Sequence, residues 1–130
     1  YFTQDRLLRL CHDRHLAVPA FSPLGALSYV PLNMAQATDT VLDEQVVKDA
    51  ASRTGKSPAQ VVLRWGLQRN VAIIPKSSKP ERQIENLQLF DFTLNDQEMA
   101  DISALNRNQR FNDPGEFCER VFGTFHPIYD

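Results

Sequence analysis

Residues 70–75, NVAIIP, hold apolar and β-branched side chains with no polar alternation, and that run constrains the fold more than any other stretch of the chain. A half-exposed strand shows a polar face every second residue, whereas a run without one expects cover on both faces, as in a parallel sheet. Parallel strands in turn need a crossover, usually a helix. A second apolar run, HLAVPAFSPLG at 15–25, is bounded by turn residues and reads as a buried strand ending in a loop.

The stretches around these runs have helical spacing. Residues 3–14 carry Leu7, Leu8 and Cys11 on one side and Asp5, Arg6, Arg9 and Asp13 on the other. Residues 43–53 turn Val46, Val47, Ala50 and Ala51 inward and stop at Gly55. Ser57, Pro58 and Gln60 supply a capping hydroxyl, a proline for the first helical position and an amide that reaches back, so a helix starts near Ser57, with Val61, Val62, Trp65 and Leu67 following in it. Further helices start at Pro80 and at Asn95, the latter running through Leu105. Residues 26–40, around Tyr29, Val30, Leu32 and Met34, sustain no period and read as a long loop, and residues 106–130 read as aromatic and irregular. The fold class is α/β. Two parallel strands cannot close a sheet, and a (β/α)₈ barrel needs roughly 250 residues. The order of elements therefore fits the C-terminal part of such a barrel, with an extra helix and a C-terminal loop.

Composition narrows the function classes. The 130 residues are 42% hydrophobic and 23% charged, as in an ordinary soluble globular unit. Fourteen Lys plus Arg against sixteen Asp plus Glu leave a net charge of -2, with no basic stripe for nucleic acid. An anionic small molecule must then be held by a local site. Cys11 and Cys118 build neither a disulfide framework nor a metal motif, so a reducing compartment is expected. The chain opens on Tyr1 with no basic leader or long apolar run, which predicts no signal peptide and no membrane span in these residues and suggests a piece of something longer.

The densest chemistry lies at 74–86, IPKSSKPERQIEN. Lys76, Ser77, Ser78 and Lys79 bring amines and hydroxyls to a strand end, next to the free N–H groups of a helix start, which is how a phosphate site is built. Arg82, Glu85 and Asn86 stand at i, i+3 and i+4 on neighbouring helix surface. A guanidinium there can stack on a purine while Glu85 and Asn86 meet its ring nitrogens. The plainer alternative is a solvated helix start. For Phe21 it is a core aromatic at a strand end.

This run, with AFSPLG at 20–25 and AQVVLRWGLQRN at 59–70, resembles the aldo-keto reductase family, NADP-dependent reductases built on a (β/α)₈ barrel. The likeness covers essentially the whole chain. It implies that Lys76 and Ser77 bind the 2′-phosphate of NADP, with Ser78 beside them, that Arg82 and Asn86 hold phosphate and adenine, and that Glu85 is an adenine contact. It implies a nicotinamide-stacking role for Phe21, where the family often has Tyr, and a pyrophosphate-facing role for Ser22 and the backbone of Pro23, Leu24 and Gly25. NADP(H) is preferred over NAD(H) on this reading. Where many members follow SPLG with polar or acidic residues that help a loop close, this chain continues Ala26-Leu27-Ser28-Tyr29.

Residues 107–114, RNQRFNDP, resemble the segment that sugar-reducing members carry before their C-terminal loop, which makes Asn112 a candidate for hydrogen bonding a substrate hydroxyl. Phe111, Phe117, Phe122, Phe125 and Tyr129 either wall an aldehyde or sugar pocket or pin the tail to the barrel. The family's catalytic Asp, Tyr, Lys and His come from earlier strands, so no catalytic residue and no metal ligand is expected here. His12, His15 and His126 read as surface or tail residues. The expected function is NADPH-dependent reduction of aldehyde or sugar carbonyls by an intact cytoplasmic protein. The isolated chain should be inactive and should need the missing N-terminal half, or a partner, to cover its open sheet. A non-catalytic remnant serving as a nucleotide-binding or assembly module is the alternative.

Overall fold

A computed structural model describes residues 1–124. Helix α1 (Asp5–Asp13) leads to β1 (Pro19–Ala20), then to 3₁₀ segments at Leu27–Leu32 and Val41–Asp43. Helices α2 (Gln45–Thr54) and α3 (Pro58–Gln68) precede β2 (Ala72–Ile73), followed by α4 (Pro80–Leu87), α5 (Asp96–Ala104) and α6 (Pro114–Phe122). The strands pair in parallel, Pro19 opposite Ala72 and Ala20 opposite Ile73. The expected capping box at Ser57 forms, with Gln60 N–H donating to Ser57 Oγ at 3.3 Å and Ser57 N–H to Gln60 Oε1 at 3.0 Å. Asn95 and Glu98 form a second one at the start of α5.

The core joins Val47, Ala50 and Ala51 of α2, Val61 and Val62 of α3, and Leu94 and Ile102 around α5. Trp65 packs at its edge and donates its indole N–H to Ser103 Oγ at 3.0 Å. Helix α3 lies close on β2. A Cβ at Gly66 would stand 3.2 Å from Ile73 Cγ2, so glycine sets how near helix and strand approach.

Three expectations change. The apolar run at 70–75 is covered on one side only: Val71 is buried and Ile73 half-buried, while Ala72 and Ile74 are exposed. With only two strands among the described residues, nothing among them covers the other face, and Leu7 and Leu10 of α1 are about half exposed. Residues 106–124 are not irregular throughout. Asp113 accepts from Gly115 N–H at 2.8 Å and Pro114 takes the first helical position of α6, the same logic that starts α3. His12 is half-buried, not at the surface, and its Nε2 has no hydrogen-bond partner among the described residues. Phe125, His126 and Tyr129 lie outside the described residues.

Helices α2 and α5 are clamped by Arg53. Its Nη2 donates to Glu98 Oε2 at 2.6 Å and to the Thr93 carbonyl at 2.9 Å, and its Nε bonds Glu98 Oε1. The Arg53 hydrogen bonds, with the Asn95 N–H, hold the Glu98 carboxyl below its ordinary value. A carboxylate with a lowered folded pKa stabilises at neutral pH, and that contribution disappears as pH falls through the folded value, below the usual glutamate range. The drop in urea midpoint between about pH 7 and about pH 3 should therefore be larger for wild type than for Arg53→Ala. Equal drops would count against the clamp.

Candidate functional site

Because β1 and β2 run parallel and in register, the chain leaves both at the same edge. The two motif-bearing loops, 21–25 and 75–79, therefore emerge side by side, the usual place for ligands in parallel sheets. They reach it differently. The first is a tight turn in which Ser22 has φ +48° and Gly25 φ +92°, closed by Gly25 N–H donating to the Ser22 carbonyl at 3.1 Å. The second is held by Ser77: its Oγ accepts from Lys79 N–H at 3.1 Å, and its carbonyl accepts from Gln83 Nε2 at 2.8 Å. These bonds tie the loop to the first turn of α4, where Pro80 leaves no wasted N–H.

The site's electrostatics follow from what these side chains do not touch. Lys76, Lys79 and Arg82 are exposed, and among the described residues none of the three engages a carboxylate. Lys48, Arg53, Lys56, Arg69 and Arg107 are all spent on ion pairs. Among the described residues Arg6, Arg9 and Arg14 also lack an ion pair, but they belong to α1 and the residue that ends it, not to the loops that follow β1 and β2. Ser78 is exposed beside Lys76, and Glu85 and Asn86, half-buried in the last turn of α4, have no side-chain partner among the described residues. A cationic helix start with free guanidinium and amine groups fits a phosphate-bearing nucleotide by donor chemistry.

At the other loop, Phe21 is 70% exposed, so its ring is a free platform and not a core aromatic. Leu24 instead packs against the core, leaving the backbone of 23–25 as that turn's polar surface. Tyr29 falls in the long loop at 26–40, which sustains no period. The structure buries it in the 3₁₀ segment, with its hydroxyl 3.0 Å from Ser22 Oγ and its ring edge-on to Phe21, centroids 6.5 Å apart. No local pattern marks that role, since Pro31 interrupts helical spacing there.

A cavity of about 420 Å³ extends from Phe21, Ser22 and Pro23 to Phe111 and Asn112 in the tail. The stacking candidate and the substrate candidate thus share one cavity, whereas Lys76, Arg82, Glu85 and Asn86 lie outside its walls. Tyr1 also borders it, but its single hydroxyl proton is held between Glu44 Oε1 at 2.7 Å and the Thr40 carbonyl at 3.0 Å. Burial, then the Glu44 hydrogen bond, push its pKa up to about 12. The Arg107 guanidinium lies over the Tyr1 ring at 4.0 Å and pairs with Glu44 at 2.9 Å, tying the tail to the start of α2. Among the described residues there is no His, Cys, Asp and Glu cluster able to hold a metal, and no helix long and apolar enough to cross a membrane.

The aldo/keto reductase family model matches residues 2–107. The chain is 47% identical over 116 residues to a "Probable NAD(P)H-dependent D-xylose reductase" of Aspergillus fumigatus, covering 88% of this chain and 37% of that protein. It is 43% identical over 128 residues to the NAD(P)H-dependent D-xylose reductase of Kluyveromyces lactis, covering 96% of this chain and 39% of the relative. An NADPH-dependent aldose reductase of Saccharomyces cerevisiae is 43% identical over 129 residues, again 96% of this chain and 39% of the relative. The chain therefore spans well under half the length of the curated relatives it matches. The sequence motifs, the parallel strand pair with both loops at one edge, and these matches agree: this chain belongs to the aldo/keto reductase family.

Proposed function

We propose that residues 1–130 are the C-terminal portion of one (β/α)₈ barrel domain, in a cytoplasmic enzyme that reduces aldehyde or sugar carbonyls to alcohols with NADPH. The convergence of two loops at one strand edge carries this reading, one loop cationic and the other presenting an exposed aromatic. Lys76, Ser77, Ser78 and Arg82 bind the 2′-phosphate end, Glu85 and Asn86 take the adenine, and Phe21 stacks on the nicotinamide. Ser22 and the backbone of Pro23 and Leu24 meet the pyrophosphate, while Asn112 orients a substrate hydroxyl from the far end of the shared cavity. The bound cofactor supplies the hydride. The proton donor and its Lys, Asp and His partners are assigned to barrel strands outside these residues, which also cover the open face of β1 and β2.

The relatives' names support both the cofactor and the substrate class. The test is NADPH oxidation on xylose and glyceraldehyde by the intact protein, beside the 130-residue chain alone. Turnover is expected from the intact protein and none from the chain. An NADPH-dependent rate from the chain alone overturns the assignment of the proton donor elsewhere, and an intact protein that binds neither NADPH nor NADH overturns the whole reading.

A further inference from the structure

Three polar side chains stand at i, i+4 and i+8 on α3, and each is spent on the backbone of the segment 85–94. Gln60 Nε2 donates to the carbonyls of Glu85 at 3.2 Å and Gln88 at 3.0 Å. Arg64 Nη1 donates to the Leu89 carbonyl at 3.1 Å. Gln68 Nε2 donates to the Leu94 carbonyl at 2.9 Å, and Leu94 N–H returns to Gln68 Oε1 at 2.8 Å. Gln60 differs from the other two in being 5% exposed and in accepting the Ser57 N–H on its own oxygen at 3.0 Å.

Both protons of that buried amide and its oxygen are thus engaged, and they join the start of α3 to the end of α4. Both acceptors are carbonyls at the C-terminal end of α4, where the backbone ladder runs out: the Glu85 carbonyl also takes the Gln88 N–H at 3.0 Å, and the Gln60 amide is a second donor to it. Glu85 and Asn86 occupy that same turn, and among the described residues their side chains have no partner. A Glu85 carbonyl tied to a buried amide fixes the position and rotation of the turn, and so the direction in which those two side chains can meet a planar base.

We infer that Gln60 is a positioning residue for the base end of an adenine nucleotide, acting through Glu85 and Asn86. The inference rests on the cofactor site proposed above. Such a role separates the two halves of the cofactor, because the nicotinamide end lies against the loop after β1, which Gln60 does not touch.

The experiment uses the intact protein and two probes: 2′-phospho-ADP-ribose for the adenylate half, by equilibrium binding, and reduced nicotinamide mononucleotide for the hydride half, by KM. Gln60→Leu removes the donors, and Gln60→Asn keeps an amide but shortens its reach, which serves if leucine prevents folding. Gln68→Leu is the matched control, since it also loses paired bonds to backbone, at Leu94, beyond the site. Both Gln60 variants should bind 2′-phospho-ADP-ribose about tenfold more weakly, with the KM for the mononucleotide unchanged. Gln68→Leu should lower the denaturation midpoint yet bind both probes as wild type does. Gln60 variants that bind the adenylate probe normally, or that weaken both probes alike, overturn the inference alone. A wild-type protein that fails to bind 2′-phospho-ADP-ribose overturns the proposed cofactor site, and this inference with it.

Discussion

Arg82→Ala in the intact protein is expected to weaken NADPH binding by about ten- to a hundredfold while changing NADH binding much less. The expectation comes from charge. Arg82 is exposed on α4 with no carboxylate partner among the described residues, so its guanidinium costs nothing to redirect toward a ligand. A hydrogen bond between ionised partners contributes about 1.5 to 3 kcal/mol, and a 2′-phosphate offers such a bond where a neutral 2′-hydroxyl does not. Lys76→Met should act in the same direction, more weakly, because a lysine ammonium is a point charge without the planar fork of arginine. Fluorescence titration with both nucleotides reads the ratio directly. Equal losses for NADPH and NADH would move both residues away from the 2′-phosphate.

The largest effect on stability is expected at Leu63. Its side chain on α3 has 0% exposure, and it is among the largest fully buried side chains of the described residues. Truncation to alanine removes three carbons from a packed interior and leaves a cavity that α3 cannot close, since Gly66 one turn on already sits 3.2 Å by its would-be Cβ from Ile73. The expected cost is about 2–5 kcal/mol. That is a large share of the roughly 5–15 kcal/mol by which a domain is stable. In urea the midpoint should fall with an unchanged slope. Leu63→Met, close in volume, should cost less than about 1.5 kcal/mol. A similar loss for both would mean that shape, not cavity volume, governs the site.

The helices were legible because their signals are local. The Ser57 and Asn95 boxes are fixed by residues three apart, and the Gly55 stop needs only a left-handed φ of +66°, which glycine adopts freely. Helix α6 was missed: Asp113 and Pro114 carry the start signal, but the aromatic residues around them made the segment read as irregular. Strand cover was not legible, because a run of apolar side chains reports what the fold demands and not which neighbours are present. Lys76, Ser77 and Arg82 could be picked out as a phosphate-type site from residue types alone. That Lys76 and Arg82 are left without carboxylate partners could not, because ion pairing such as Arg53 with Glu98 depends on where elements 45 residues apart come to rest.

The sequence by itself determined the starts of α3, α4 and α5, the stop of α2 at Gly55, the places of the two strands, the donor set at 76–86 and the family. Hydrophobic period, caps and charge are written residue by residue, and short-range physics reads them. Tertiary structure alone decided that Tyr29 bonds Ser22 and faces Phe21, and that the Gln60 amide which caps α3 also ends α4, 25 residues further on. Those contacts depend on the parallel register of β1 and β2 and on the close seat of α3 over β2. A hydrogen bond needs its partners within about 3 Å, and only the folded chain sets that distance between residues far apart in sequence.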